Sequence, residues 1–293
     1  GGSCYPVPSG VYAIDDKLIE DTAAGKGGME HPSNLGVQLA RELQKEFGGR
    51  IFMVDPPCVD ELCDMARMTG IDGVPRHTNM HALNLRGVAM HHAKHVLGKK
   101  YEDCCFIVCH IDGGISVSAH RYGRIIDCND AAGGDGPYTP TRIGSVSVAD
   151  ILEYVRDKDV DEVKKLCTRT GGFVSHFGTS SSDVVHKMAE EGNKKAIRVW
   201  DGMKYQIVKY IGAMAAVLGG RVDGILLTGG LLRFEDITQT IREQCEWIAP
   251  VSTYPGEVEH AALAAGALRV LRGEEEPKLY TGRPVWDGWH DED

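Results

Sequence analysis

The sequence predicts an α/β fold that holds a ligand at the ends of strands, and two stretches carry that expectation. In 106–118, FIVCHIDGGISVS, a β-branched and aromatic run passes through His110 into Gly113-Gly114, after which apolar and polar residues alternate as in a returning strand. In 222–230, VDGILLTGG, a second apolar strand ends in Gly229-Gly230 and runs into a helical pattern over 232–244. Glycines there let main-chain N–H groups approach an anion without Cβ interference, although a glycine pair serves a plain hairpin turn equally well. Ligands of open α/β sheets lie beyond the carboxyl ends of strands, so the two elements are expected to grip opposite ends of one nucleotide.

A chain of 293 residues is long enough for two domains with separate cores. Its formal net charge of −10, with Lys and Arg scattered, argues against nucleic acid or an anionic membrane surface as a partner. Each arginine near a glycine loop therefore matters more than the total. The nine cysteines, an odd number without CxxC or Cys/His ligand spacing, read as reduced packing residues rather than disulfides or a zinc site. The longest apolar segment, 211–218, is too short to span a bilayer and no signal peptide opens the chain, so a soluble, cytoplasmic protein is expected.

From the N-terminal side, His31-Pro32-Ser33-Asn34 precedes an amphipathic helix marked by Leu35, Leu39, Leu43 and Phe47 and stopped by Gly48-Gly49. The run 50–54 reads as a strand that delivers Asp55 before Pro56-Pro57 breaks the ladder. That carboxylate suits either Mg²⁺ held through water or the cap of a helix over 59–68. A long helix over 80–97 carries His81, His91, His92 and His95, the last three being surface or packing residues for want of a partner at ligand spacing. The Gly- and Pro-rich segment 131–144 is expected to be a shaped, mobile loop displaying Arg142. A guanidinium suits the equatorial oxygens of a transferring phosphoryl group. Helices are expected over 148–155, 160–166, 184–191 and 194–218, and a strand over 247–251. Glu257 and Glu259 then open an alanine-rich helix over 261–271, where the dipole favours carboxylates, and an acidic, loosely held tail follows Gly273.

Ordered motifs run through nearly the whole chain: PVPSGVY, EHPSNLG, VDPPCVDEL, HALN, HIDGGISVSAH, GPYTPTR, VDGILLTGG, IAPVSTYPGE and AALAAGALRVLRGEE. In this order they resemble the acetate kinase family of the sugar kinase, heat-shock ATPase and actin superfamily, and within it the butyrate and branched-chain fatty acid kinases. The resemblance implies two ribonuclease H-like lobes with a nucleotide cleft between them. The first lobe, 1–104, would be incomplete and closed by the C-terminal segment 256–293, and the second, 105–255, would bind nucleotide. It implies ATP-dependent, reversible phosphorylation of butyrate or a branched short-chain fatty acid to the acyl phosphate, with Mg²⁺, in a homo-oligomer. An acetate or propionate kinase, or an impaired relative that only binds nucleotide or a partner, are the alternatives.

Carried over by residue, the resemblance places Asp112, Gly113, Gly114 and Ser116 in a phosphate loop that His110 opens, and Thr228, Gly229 and Gly230 in an adenosine motif. Arg142 would hold the transferring phosphoryl group, His110 and His81 would border it, and Asp55 with Glu257 or Glu259 would orient the metal. Three departures stand out. The family's first phosphate loop, of the NxGSxSxK kind, is absent, and an arginine expected before Gly1-Gly2 would precede the chain, which suggests N-terminal truncation. Asp112 stands where the acetate kinase loop has glycine and adds negative charge beside a phosphate site.

Overall fold

The computed structural model describes residues 2, 4–27, 32–256 and 258–289. The chain begins with β1 (Val11–Ala13), α1 (Asp16–Ala23), α2 (Leu35–Phe47), β2 (Phe52–Val54), α3 (Asp64–Arg67) and α4 (Ala82–His95). There follow β3 (Cys105–Ile111), β4 (Ile115–Arg121), β5 (Arg124–Cys128), α5 (Val148–Tyr154), α6 (Val160–Thr168), α7 (Gly172–Phe177), α8 (Ser182–Glu190) and α9 (Lys194–Val217). It closes with β6 (Gly224–Gly229), α10 (Glu235–Cys245), β7 (Val251–Pro255) and α11 (Glu259–Leu271). These elements divide into a first unit, Gly1–Leu62 with His81–Gly87 and Val258–Asp293, and a second unit, Cys63–Met80 with Val88–Glu257. Residues 63–80 and 88–104, read from sequence with the first lobe, cluster with the second unit.

The second unit is built on a five-stranded sheet of order β5-β4-β3-β6-β7. β3 pairs antiparallel with β4 and parallel with β6, His110 lying opposite both Ser116 and Thr228. Strand alternation sorts the side chains into two faces. Ile107, Cys109, Ile111, Ile115, Val117, Ile225 and Leu227 join the main apolar core. On α9 buried residues recur at helical spacing through Val199, Trp200, Met203, Ile207, Ile211 and Met214, and they fill the same core. Asn193 starts this helix by accepting the N–H groups of Lys195 and Ala196. The opposite sheet face carries His110, Ser116, Ser118, His120 and Thr228, all buried. Burying so many polar groups requires partners. Ser118 Oγ donates to the Val108 carbonyl at 2.9 Å, and Tyr101 Oη meets His120 Nδ1 at 2.7 Å.

Several expected boundaries move. The run 59–68 yields only the short α3, because its first half pairs as extended chain: Val59 bridges Val7, and the Asp60 N–H donates to the Val7 carbonyl. The last strand is Val251–Pro255 rather than 247–251, since the turn after α10 continues through Ile248, whose N–H reaches the Cys245 carbonyl. The helical pattern over 232–244 resolves into a 3-10 turn, Gly230–Arg233, and then α10.

In the first unit β1 and β2 pair antiparallel. α11 approaches closely through its small residues: an ideal Cβ on Gly266 would lie 2.6 Å from Val54, and one on Gly87 would lie 2.9 Å from Ala262. The stretch from Glu275 to Tyr280 is not a loose tail, and residues 290–293 of the expected tail lie outside the described residues. Lys278 bridges Tyr12, exchanges main-chain bonds with Val11 and Ala13, and is followed by the buried Tyr280, whose hydroxyl donates to Asp21. α2 forms where its periodicity places it, yet Leu35, Leu39, Leu43 and Phe47 are 61%, 61%, 55% and 75% exposed while Val37 is buried. Its apolar stripe points outward.

Because Ile207 is wholly enclosed between α9 and the sheet, Ile207→Ala should lower unfolding free energy by about 2–5 kcal/mol. A shift of the urea midpoint without a change of slope would register this.

Candidate active site

The two glycine turns meet at one end of one sheet. β3 and β6 run parallel side by side, so the turn 112–114 and the turn 229–230 leave the same carboxyl edge of the second unit. They form adjoining parts of one surface. Their approach is close: an ideal Cβ on Gly229 would lie 2.3 Å from the Ile111 carbonyl oxygen, and Gly229 has φ +112°, a left-handed conformation suited to glycine. Gly229 also exchanges main-chain bonds with Gly256, and Thr228 Oγ1 donates to the Gly256 carbonyl at 3.2 Å.

Arg142 is brought to this edge by its own loop. Thr139 Oγ1 and Thr141 Oγ1 donate to the Gly113 carbonyl at 2.7 and 3.2 Å, docking the GPYTPTR segment onto the hairpin turn. Thr139 Oγ1 in turn accepts the Arg142 N–H at 3.0 Å. On the far side the Tyr138 N–H donates to Gln206 Oε1 and its hydroxyl to the Val199 carbonyl, both on α9. Gly172 backs the loop at φ +56°, where an ideal Cβ would lie 1.6 Å from the Thr139 carbonyl oxygen. Within the segment expected to be mobile, Tyr138 to Arg142 is therefore held on two sides, by the hairpin turn and by α9.

The charges here are unusual. Arg142 is half-buried, makes no ion pair among the described residues, and its Nε has no hydrogen-bond partner there. Burial pushes its guanidinium down from the ordinary value, with Asp130 working against the shift. Burial likewise pushes the His110 imidazole down to about 4; Asp112 opposes this and the Arg142 charge adds to it. At neutral pH the edge thus holds a permanent cation beside a neutral imidazole. Asp112 accepts the N–H groups of Gly113 and Gly230, each at 2.8 Å. Ser116 is fully buried opposite His110, and Gly114 closes the turn by accepting the Asp112 N–H.

Asp55, His81 and Glu259 belong to the first unit. Asp55 follows β2 at φ +38° and is buried. Its Oδ1 accepts the Gly10 N–H at 2.7 Å and its Oδ2 pairs with Arg86 at 3.1 Å. Burial pushes its carboxyl up, against the pull of Arg86. It caps no helix. Nearby, Glu61 accepts both the N–H and the hydroxyl of Ser9, so two buried carboxylates hold the PVPSG turn. His81 precedes α4, and its carbonyl accepts the Leu85 N–H. Glu259 is the first residue of α11, and Glu257 lies outside the described residues. No cluster of three or more His, Cys, Asp or Glu that could hold a metal occurs among the described residues.

Sequence reasoning missed Thr139, Thr141, Arg86 and Ser9. The Thr-Pro-Thr spacing offered two hydroxyls two residues apart, but nothing in the sequence told which carbonyl they reach. No sequence signal links Arg86 to Asp55.

A profile of the acetokinase family matches residues 74–248. The chain is 43% identical over 282 residues to a probable butyrate kinase of Clostridium botulinum, covering 96% of this chain and 79% of that protein. It is 42% identical, with the same coverage, to butyrate kinase 1 of Clostridium acetobutylicum. Among solved structures it is similar to the acetate kinase of Porphyromonas gingivalis, with a TM-score of 0.77 and 21% identity over 90% of this chain and 75% of that one. The acetate kinase of Entamoeba histolytica gives 0.75 and 15% over 91% and 80%. The fold is that of these acetate kinases.

The His110 environment makes a prediction for stability. The unfolded imidazole titrates near 6.5 and the folded one near 4, so between these values the unfolded chain binds more protons and acid favours unfolding. His110→Gln should remove a pH-dependent loss on the order of 3 kcal/mol, seen by comparing urea midpoints of both proteins at pH 7.5 and 4.5.

Proposed function

The chain belongs to the acetokinase family, and from that premise we propose that it transfers the γ-phosphoryl group of ATP to the carboxylate of butyrate or a branched short-chain fatty acid. The products are the acyl phosphate and ADP, and the reaction is reversible. The observation that carries the reading is the meeting of two glycine turns with Arg142, a half-buried arginine lacking an ion-pair partner among the described residues, docked there by Thr139 and Thr141. Holding a cation half out of water in this way is costly unless an anion arrives to meet it.

In the proposed mechanism a carboxylate oxygen attacks the γ-phosphorus, the bond to the β,γ-bridging oxygen breaks, and ADP leaves with its electron pair. Such transfers proceed through positioning and charge stabilisation, without a covalent protein intermediate. Arg142 spreads its charge over the equatorial oxygens. His110, neutral at pH 7, donates a hydrogen bond without adding charge. The turn at Gly113-Gly114 lies along the phosphates, Ser116 supports it from β4, and Thr228, Gly229 and Gly230 border the adenosine. His81 is assigned to the carboxylate end.

Mg²⁺ belongs to the same proposal. Ions of this kind take one or two carboxylates and otherwise waters and phosphates, which one buried carboxylate fits and a cage of three protein ligands is not needed for. Asp55 would hold the ion through water, with Glu259 or Glu257 orienting it. When bound, Mg²⁺ would neutralise charge on the nucleotide phosphates. The two units would be the two lobes of the family fold, the second carrying the nucleotide, and the protein would work as a cytoplasmic homo-oligomer. No helix among the described residues is long and apolar enough to cross a membrane.

Trapping with hydroxylamine tests the reading: butyryl or isobutyryl hydroxamate should accumulate with ATP and Mg²⁺ faster than acetyl hydroxamate. Product from acetate alone would overturn the substrate assignment, and no product from any acid would overturn the enzyme assignment. Arg142→Ala should lower turnover at least about 100-fold with a thermal midpoint close to the parent's. Chelation by EDTA should abolish hydroxamate formation, and added Mg²⁺ should restore it.

A further inference from the structure

Asp112 is a carboxylate in a turn assigned to phosphate. A carboxylate repels phosphate, so its place there calls for a reason other than ligand contact. Its two oxygens are already engaged: Oδ1 accepts the Gly113 N–H and Oδ2 the Gly230 N–H, each at 2.8 Å. The second bond joins residues 118 apart in sequence and spans the two glycine turns. Gly230 is shaped to this contact, since an ideal Cβ there would lie 2.6 Å from Asp112 Oδ2. The Asp112 N–H donates to the Gly114 carbonyl, which fixes the turn on its other side. An asparagine could not reproduce the arrangement, because its amide nitrogen cannot accept a hydrogen bond. Hydrogen bonds to a charged acceptor are also the stronger kind.

We infer that Asp112 is a positioning residue: its carboxylate ties the turn after β3 to the turn after β6 and fixes the spacing of the two segments that hold the nucleotide. The inference rests on the nucleotide site proposed above. Two opposed effects follow. Order at the turns favours turnover, because small displacements of a reacting group are expensive in rate. The resident negative charge meanwhile weakens the hold on ATP.

Three variants separate these effects. Asp112→Gly and Asp112→Asn should lower kcat about tenfold or more, while calorimetry shows ATP bound several-fold tighter. Gly230→Ala should push the carboxylate aside while keeping its charge, so kcat falls and ATP binding does not tighten. A merely structural role would lower kcat with folded fraction and leave the ATP dissociation constant alone. Thermal melting sets the folded fraction, and the near-isosteric Asn variant carries the test if the Gly variant does not fold. ATP binding that is unchanged or weaker in both Asp112 variants, or wild-type kcat in either, would overturn the inference. A folded parent protein that binds no ATP would instead overturn the nucleotide site itself.

Discussion

The parallel pairing of β3 with β6 is the constraint on which the candidate site depends. Five residues of each strand lie in register from Phe106 opposite Gly224 to His110 opposite Thr228. That register decides that two turns more than a hundred residues apart in sequence leave the sheet together. A one-residue slip of β3 would turn His110 into the apolar core and bring Ile111 to the polar face, away from Thr228. The apolar residues that α9 covers therefore hold the chemistry in place from the other side of the sheet. Packing and function are here two faces of the same strands.

Much of this was legible in the sequence because it is local. The hairpin around Gly113-Gly114 has a β-branched, aromatic run before it and a period-two pattern after it, and α9 announces itself through apolar residues at helical spacing between Asn193 and the glycines that follow Leu218. The family resemblance then supplied roles for residues whose types alone left several readings open. What was hidden is what depends on tertiary pairing. Val59 and Asp60 look like the start of a helix, but extended pairing with Val7 outweighs that propensity. The loop before Arg142 looks mobile from its Gly and Pro content, and only the carbonyl of Gly113 reveals why two threonines stand there. The acidic run after Gly273 looks solvated, yet Glu275 accepts the Val11 N–H and pairs with Arg269.

Charge placement follows a common rule in the two units although the residues differ. In the first, Asp55 and Arg86 satisfy each other in a buried pair, so neither charge is left for an incoming group except through the remaining lone pairs of the carboxylate. In the second, Arg142 has no such partner among the described residues while Asp112 spends its charge on main-chain N–H groups. An acidic protein with a net charge of −10 thereby presents a local cation at the candidate site.

The strand-like contact of Lys278 with β1 bears on the order in which the chain assembles. Val11 and Ala13 find main-chain partners at Lys278, 267 and 265 positions later, so the first unit cannot close until Lys278 has left the ribosome. The second unit is nearly continuous in sequence from Cys63 to Glu257 and meets its own contacts sooner. Within this stretch the usual N-to-C order of folding is therefore interrupted: β1 is made before the second unit but meets its Lys278 partner only after it, across a long loop closure.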